Sequence, residues 1–331
     1  MEMIIMNKVI TNKGKFFDKT YEMPLTLETD TDVLIEVEAV SINPHDVKAL
    51  AHKSADQRVL GFDAVGKILK LGSLVDQFKV GDRVIYAGSD IRDGSFADYQ
   101  VVDSRLISKI EDSASVIDYA AVPLVAITAY EILFDKLAFK FEKDSNKGKS
   151  IFVLNGAGGV GSLLTQLANW AGIKVYATSS KRNFKFLEEN GVTNPLDYSE
   201  DFAEQIGENK VDATINLYNP DYYLQDSIKV THPFGHLVYV TVGNSSIHNT
   251  EVFSKSLTID YELMFTKSMY GYKQETQGLI LKNIIGLIKN GEITSRVESI
   301  ITDGINAKNL NYAAKQLRTG HQRGKIIILK N

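Results

Sequence analysis

The sequence predicts an α/β protein of two domains, with a compact, barrel-like β domain first and a doubly wound parallel sheet, helices on its faces, after it. Three observations carry that expectation. Gly61, Gly66, Gly72, Gly81, Gly88 and Gly94 punctuate short apolar runs in the first third of the chain, a spacing suited to a small barrel. From Ser150 onward, short apolar runs alternate with segments of helical spacing, as helices packed on a parallel sheet require. At the start of the second pattern, Val153–Ser162 reads Val-Leu-Asn-Gly-Ala-Gly-Gly-Val-Gly-Ser, with four glycines in six residues. A chain of 331 residues is also long for a single hydrophobic core.

Element by element, Val33–Val40 alternates well enough for a half-buried strand, and Ala64–Leu71, Arg83–Ala87 and Phe96–Val102 read alike. Ala120–Leu137 has helical spacing, with Pro123 tolerated near a helix start. The mixed-sign run Lys140–Lys149 reads as a solvated linker rather than a basic binding patch. Strands are then expected at Ile151–Leu154, Lys174–Thr178, Val211–Leu217 and His236–Val242, with helices at Ser162–Ala171 and Asn183–Asn190. Thr276–Lys289 reads as a helix closed by Asn290-Gly291, and Gly324–Leu329 as a last strand.

Composition narrows the function. Hydrophobic residues at 44% and charged residues at 24% describe an ordinary globular protein, and a net charge of −4 gives no electrostatic reason to expect a nucleic-acid partner. No apolar run reaches the length of a membrane span and the N-terminus lacks a signal-peptide layout, so a cytoplasmic location is expected. The chain contains no cysteine, which excludes disulfides, cysteine nucleophiles and cysteine-ligated zinc.

The glycine run is the strongest chemical signal. Gly156, Gly158 and Gly161 form G-x-G-x-x-G after an apolar strand and at the opening of a helix, the setting in which the motif binds a dinucleotide. Gly156 is expected to permit the turn, Gly158 to let backbone approach a pyrophosphate and Gly161 to allow close helix–sheet packing. With Gly159 and Val160 these residues surround a helix N-terminus, which favours anions. A glycine-rich turn without a ligand is the plainer alternative. At the end of the next strand stand Ser179, Ser180, Lys181 and Arg182, with no acid to hold a ribose 2′-hydroxyl. Hydroxyls and two cations suit a 2′-phosphate, so the expected cofactor is NADPH; two solvated cations at a helix start are the alternative.

Several further stretches carry a family resemblance: Ser41-Ile42-Asn43-Pro44-His45-Asp46, Gly61-Phe62-Asp63-Ala64-Val65-Gly66, Val80-Gly81-Asp82-Arg83-Val84, Gly94-Ser95-Phe96-Ala97-Asp98-Tyr99, Ala120-Ala121-Val122-Pro123-Leu124, the glycine run with Gln166, and Arg323-Gly324-Lys325-Ile326. In their order and spacing the chain resembles the medium-chain dehydrogenase/reductase superfamily, and within it the zinc-independent quinone oxidoreductase branch. The resemblance implies a Rossmann sheet inserted after a GroES-like β-barrel domain, to which the C-terminus returns. It places the catalytic domain at 1–122 and 268–331 and the dinucleotide-binding domain at 123–267. Zinc-dependent relatives carry a Cys and a His where this chain has Asn43 and Phe62. His45, Asp46, His52 and Asp63 have no recognised metal-ligand spacing, so no zinc is expected.

Without a Lewis acid, hydride transfer suits acceptors that disperse the arriving charge by conjugation. The expected activity is NADPH-dependent reduction of quinones or α,β-unsaturated carbonyls, small-molecule substrates both. The resemblance places Asn43 beside the nicotinamide as a contact to the developing oxyanion, the alternative being an amide that pins the turn before Pro44. His45 or Lys48 is expected to supply the final proton, against the alternative of solvated side chains. Thr128 and Val240, at the head of the stretch to Gly243, are expected near the nicotinamide with Tyr270–Tyr272, and Tyr198 near the adenosine phosphate. Pocket shape is expected in loops around 43–62 and 244–275. The strand-like segment Leu257–Phe265 would pair across the edge of a homodimer, as the resemblance implies, or lie within the monomer. Two other readings stand beside this one: an alcohol dehydrogenase with an atypical metal site, and a non-catalytic NADPH-binding redox sensor. A short-chain dehydrogenase is not expected, because the glycine run is central and no Tyr-x-x-x-Lys pair follows it.

Overall fold

A computed structural model describes residues 3–24, 26–52, 57–243 and 250–330. The chain divides into two compact units, one of Met1–Ile127, Phe265–Asn290 and Ser295–Asn331, the other of Thr128–Met264 and Gly291–Thr294. The parts of the loops around 43–62 and 244–275 that fall at 53–56 and 244–249 lie outside the described residues.

The first unit is built on β1 (Met3–Asn12), β2 (Lys15–Pro24), β3 (Asp32–Ser41), β4 (Ala64–Leu71), β5 (Arg83–Tyr86), β6 (Tyr99–Asp103) and β7 (Ile107–Lys109). Helices α1 (Pro44–Ala49) and α2 (Val116–Ala120) belong to it, as does the start of α3 (Pro123–Tyr130). β1 and β2 form a hairpin whose turn has Lys13 and Gly14 at φ 45° and 76°. Both turn residues need positive φ, and Gly adopts it without a Cβ penalty. Periodicity did not reveal this hairpin, because Lys-Gly is a weaker turn signal than Asn-Gly and β1 is not cleanly alternating in burial.

β3 is the centre of the main sheet. β4 runs antiparallel along one of its edges, while β6 and the final strand share the other. Flanked on both sides, β3 exposes only Glu36 and Glu38, even partly, where the alternation predicted a half-buried strand. Glu38 accepts two bonds from Arg83 and Glu36 one from Lys330, so the two acids that interrupt the apolar run are paired.

The second unit holds β8 (Ser150–Leu154), β9 (Lys174–Ser179), β10 (Asn194–Asp197), β11 (Val211–Asn216), β12 (Thr231–Tyr239) and β13 (Thr258–Tyr261). Its helices are α4 (Gly159–Trp170), α5 (Phe184–Glu189), α6 (Phe202–Ile206), α7 (Leu224–Val230) and α8 (Thr250–Ser254). All neighbouring strands are parallel, in the order β10-β9-β8-β11-β12-β13. Counted from β8, that is 3-2-1-4-5-6, the doubly wound Rossmann order, whose switch point lies between the first and fourth strands. Phe152, Tyr176, Leu196, Phe202, Ile206, Val211 and Val230 form a core under α6 and α7. Burial of Phe202 alone is worth roughly 2–3 kcal/mol. β12 starts five residues before the expected His236 and stops at Tyr239, leaving Val240–Val242 outside it. Pro233 and Gly235 disguised its first half, which runs through an irregularity where Phe234 has φ 62°.

The chain then re-enters the first unit through α9 (Thr266–Tyr270) and α10 (Glu275–Lys289), and after 291–294 returns to it with β14 (Val297–Ile301), α11 (Ala307–Arg318) and β15 (Lys325–Leu329). β15 pairs with β3 and carries β14 on its outer edge, giving the order β14-β15-β3-β4-β5-β7.

Candidate functional site

In the second unit, the turn after β8 is tied to β9: Gly156 N–H donates to the Thr178 carbonyl at 3.0 Å and Asn155 N–H to the Thr178 hydroxyl at 3.0 Å. The positive φ falls at Asn155 (67°), not at Gly156. What Gly156 supplies is closeness, since a Cβ there would lie 2.7 Å from the Ala177 Cβ. A Cβ on Gly161 would lie 2.4 Å from the Asn155 carbonyl oxygen, so α4 can start this near β8 only without that side chain. Gly158 caps α4, and Gly159, Val160 and Gly161 supply its first N–H groups, which have no acceptor inside the helix. Bare backbone donors at a glycine-lined turn on the carboxyl side of a doubly wound sheet fit a dinucleotide pyrophosphate.

At the end of β9, Ser179 is buried and Asn183 Nδ2 donates to the hydroxyls of Ser179 (3.0 Å) and Ser180 (3.3 Å). Lys181 stands 3.0 Å from Glu200 and 3.5 Å from Asp197, and both acids hold its ammonium pKa above the ordinary value. An acid does stand beside this strand end, on β10: the parallel register sets Asp197 opposite Ser179. Arg182 is exposed and has no ion-pair partner among the described residues. Tyr198 is half exposed beside Asp197, and the rings of Tyr218, Tyr222 and Tyr223 gather after β11, a cluster the sequence reading did not single out. Thr128 is buried on α3, and Val240 is partly exposed just past β12.

In the first unit, a buried polar knot joins distant segments. Asn43, Asp46, Asp63 and Lys325 are all at most 5% exposed. Asn43 Nδ2 donates to Asp63 at 2.8 Å, and Lys325 donates to Asp63 at 2.6 Å and to the Asn43 amide oxygen. The other Asp63 oxygen accepts the Leu124 N–H at 2.7 Å, near the start of α3. Burial pushes the Asp63 carboxyl up, yet every group on it is a donor and one is a cation, surroundings that only a carboxylate satisfies. Asp46 accepts the N–H groups of Asn43 (2.7 Å) and Gly61 (3.0 Å), closing the first turn of α1. The Asn43 amide is therefore engaged at both ends, by Asp63 and by Lys325. Lys325 and its bond to Asn43 were invisible in sequence, where it was one letter of a terminal motif.

His45 packs against Phe62 and Phe265, with ring centroids 5.2 and 4.8 Å away. Its Nε2 lies 3.3 Å from Asp90, close enough for an ion pair though not aligned as a hydrogen bond. Arg58 stands behind, donating to the Asp90 carbonyl. Lys48 is exposed overall, and partial shielding of its ammonium lowers its pKa. Asn43, His45 and Lys48 thus share one short helix and its cap.

Comparison with known proteins agrees with both units. Residues 29–112 match the family described as alcohol dehydrogenase GroES-like domain, and residues 159–284 the family described as zinc-binding dehydrogenase. A zinc-type alcohol dehydrogenase-like protein of Staphylococcus epidermidis is 34% identical over 329 residues, covering 96% of each chain. The chain belongs to the medium-chain dehydrogenase/reductase superfamily. Among its relatives, a 2-methylene-furan-3-one reductase of Solanum lycopersicum is 34% identical over 228 residues, 64% of this chain and 55% of the relative. The structure of the quinone oxidoreductase from Coxiella burnetii superposes on this dehydrogenase/reductase with a TM-score of 0.82 and 25% identity, over 100% of each chain. The fold is accordingly a GroES-like domain with a Rossmann sheet, and the protein an oxidoreductase.

The family description raises the question of zinc, and the residues do not fit it. Where the resemblance sets ligands stand the Asn43 amide and the fully buried Phe62 ring; Asp63 is occupied on both oxygens, once by an ammonium. Among the described residues no group of three or more His, Asp or Glu is disposed to hold a metal. A divalent cation and the Lys325 ammonium would compete for one carboxylate at the cost of strong repulsion.

Proposed function

We propose that this protein is an NADPH-dependent reductase of quinones or α,β-unsaturated carbonyls that works by direct hydride transfer without zinc. The observation that carries the reading is the lysine-filled knot: with the ligand positions taken by an amide, a phenyl ring and an ion pair, the substrate must disperse charge itself. Conjugated acceptors do so, and the relatives named for quinone and methylene-furanone reduction act on acceptors of that kind. When bound, the nicotinamide supplies the hydride.

The chain's own residues do the rest. The N–H groups of Gly159, Val160 and Gly161 hold the pyrophosphate, while Ser179, Ser180 and Arg182 receive the 2′-phosphate, with Tyr198 alongside. Lys181, drawn to Asp197 and Glu200, contributes less. Thr128 and Val240 border the nicotinamide. Asn43 anchors α1, and His45 or Lys48 delivers the proton to the reduced acceptor, His45 oriented by Asp90. The protein works in the cytoplasm as a homodimer joined at the free edge of β13.

The test is NADPH oxidation by metal-stripped protein, followed by absorbance, with an ortho-quinone, an enone and a simple aldehyde in parallel and NADH as control. Turnover of quinone or enone without metal is the expected result. Turnover of the aldehyde alone, and only after zinc is restored, would overturn the reading.

A further inference from the structure

The knot has a member that no motif explains. Lys325 is the first residue of β15, 282 residues from Asn43 and 262 from Asp63, and it is 5% exposed. Lysine is seldom buried to this degree unless paired. An apolar residue of similar size, with Asn in place of Asp63, would satisfy packing equally well, since buried ion pairs rarely add stability over well-packed replacements. What the ion pair does supply is direction. Lys325 binds the Asn43 amide oxygen and Asp63, Asp63 binds the Asn43 amide nitrogen and the Leu124 N–H, and Asn43 is the cap from which α1 starts. Two residues beyond that cap is His45, and five beyond it Lys48.

We propose that Lys325 is a positioning residue of the candidate substrate site: its ammonium occupies the centre a metal would need, and by holding Asn43 against Asp63 it sets the start of α1, and with it His45 and Lys48. Part of this inference rests on the reductase reading, because its kinetic readout needs turnover; the two readouts below that do not involve turnover stand apart from it.

The test uses variants of the full chain. Lys325→Met alone strands the Asp63 carboxylate and is expected to lower the Tm by roughly 10 °C. The neutral pair Lys325→Met with Asp63→Asn removes that stranded charge and is expected to recover most of the Tm. In the recovered double variant, the imidazole NMR signals of His45, assigned by their loss in His45→Gln, are expected to move, and Lys325→Arg to keep them closer to wild type. With a quinone or enone that the wild type reduces, the double variant is expected to lose at least tenfold in kcat while KM for NADPH stays within about twofold. A double variant with wild-type Tm, His45 signals and kcat would make Lys325 purely structural and overturn the proposal. Should the double variant not fold, Lys325→Met decides, measured well below its Tm: displaced His45 signals and a kcat at least tenfold down support positioning by this ammonium, and wild-type signals and kcat, or a zinc ion bound by the wild type, overturn it. That last readout is metal analysis of wild-type protein dialysed against zinc chloride and then buffer. No stoichiometric zinc is expected, and one zinc per chain that disappears in Asp63→Asn would overturn the occupied centre. Absence of wild-type turnover would sink the reductase reading and leave the NMR and metal results to judge Lys325.

Discussion

At the scale of single residues, charge placement decides what the two candidate regions do. Asp46 is buried under the first turn of α1, and burial, the largest influence on it, pushes its carboxyl up to about 7. The folded chain then keeps a proton that the unfolded chain loses near pH ~4. The stability this group contributes is fully present below about pH 4 and is lost as pH rises through about 7, by at most about 4 kcal/mol. In urea unfolding, the stability of the wild type relative to Asp46→Asn is expected to be higher at pH 5 than at pH 8. A gap that does not change with pH would mean that the two N–H donors keep Asp46 ionised throughout. Arg182 and Lys181 are adjacent cations with different surroundings. Arg182→Ala is expected to raise KM for NADPH about tenfold or more and leave NADH unchanged, the effect of one charge-assisted bond to a phosphate. Lys181→Ala should do less, because Asp197 and Glu200 already engage that ammonium. Equal effects of the two variants, or an Arg182 effect shared by NADH, would refute the assignment. The serines and the two cations were legible in sequence; the opposing acid was not, because Asp197 meets Lys181 through the parallel register of β9 and β10.

At the scale of elements, the strand–turn–helix around the glycines is the most constrained part of the chain. Gly161→Ala sets a methyl carbon 2.4 Å from a backbone oxygen that no side-chain rotation can move. A loss of roughly 1–3 kcal/mol and of detectable NADPH binding, followed by fluorescence titration, is expected. Gly158→Ala meets first the Asn155 side chain, at 3.0 Å, which can give way, and should remain folded. A Gly161→Ala protein with native Tm and binding would show that α4 does not need this approach. Another helix is closed from a distance: Lys255 donates to the carbonyls of Ile228, Lys229 and Thr231 at the end of α7. Lys255→Met is expected to cost about 1–2 kcal/mol in thermal or urea unfolding, as a lost C-terminal cation does. Elements with a strong period or a strong stop, such as α10 with Gly291 after it, were read within a residue or so. The hairpin β1–β2 and the first half of β12 were not, because their turn and bulge residues are unusual for those roles.

At the scale of the whole molecule, the assembly prediction turns on β13, the last strand of its sheet, with Tyr261 about half exposed. Light scattering behind gel filtration is expected to give twice the 36.8 kDa chain mass, and Tyr261→Lys to shift it toward one. A monomeric wild type would contradict the edge-paired dimer. The sequence by itself determined the two-part α/β organisation, the glycine turn between β8 and α4 and the absence of cysteine ligands. Each of these depends on residue type and local spacing, which short-range backbone sterics and hydrophobic periodicity turn directly into structure. Only the tertiary structure decided that β3 is buried along both edges, that Asp197 faces Lys181, and that Lys325 lies against Asn43 and Asp63. Those are meetings of residues far apart in the chain. They follow from how β15 returns to β3 and how parallel strands register, and local sequence carries no record of which distant side chain will share a buried space.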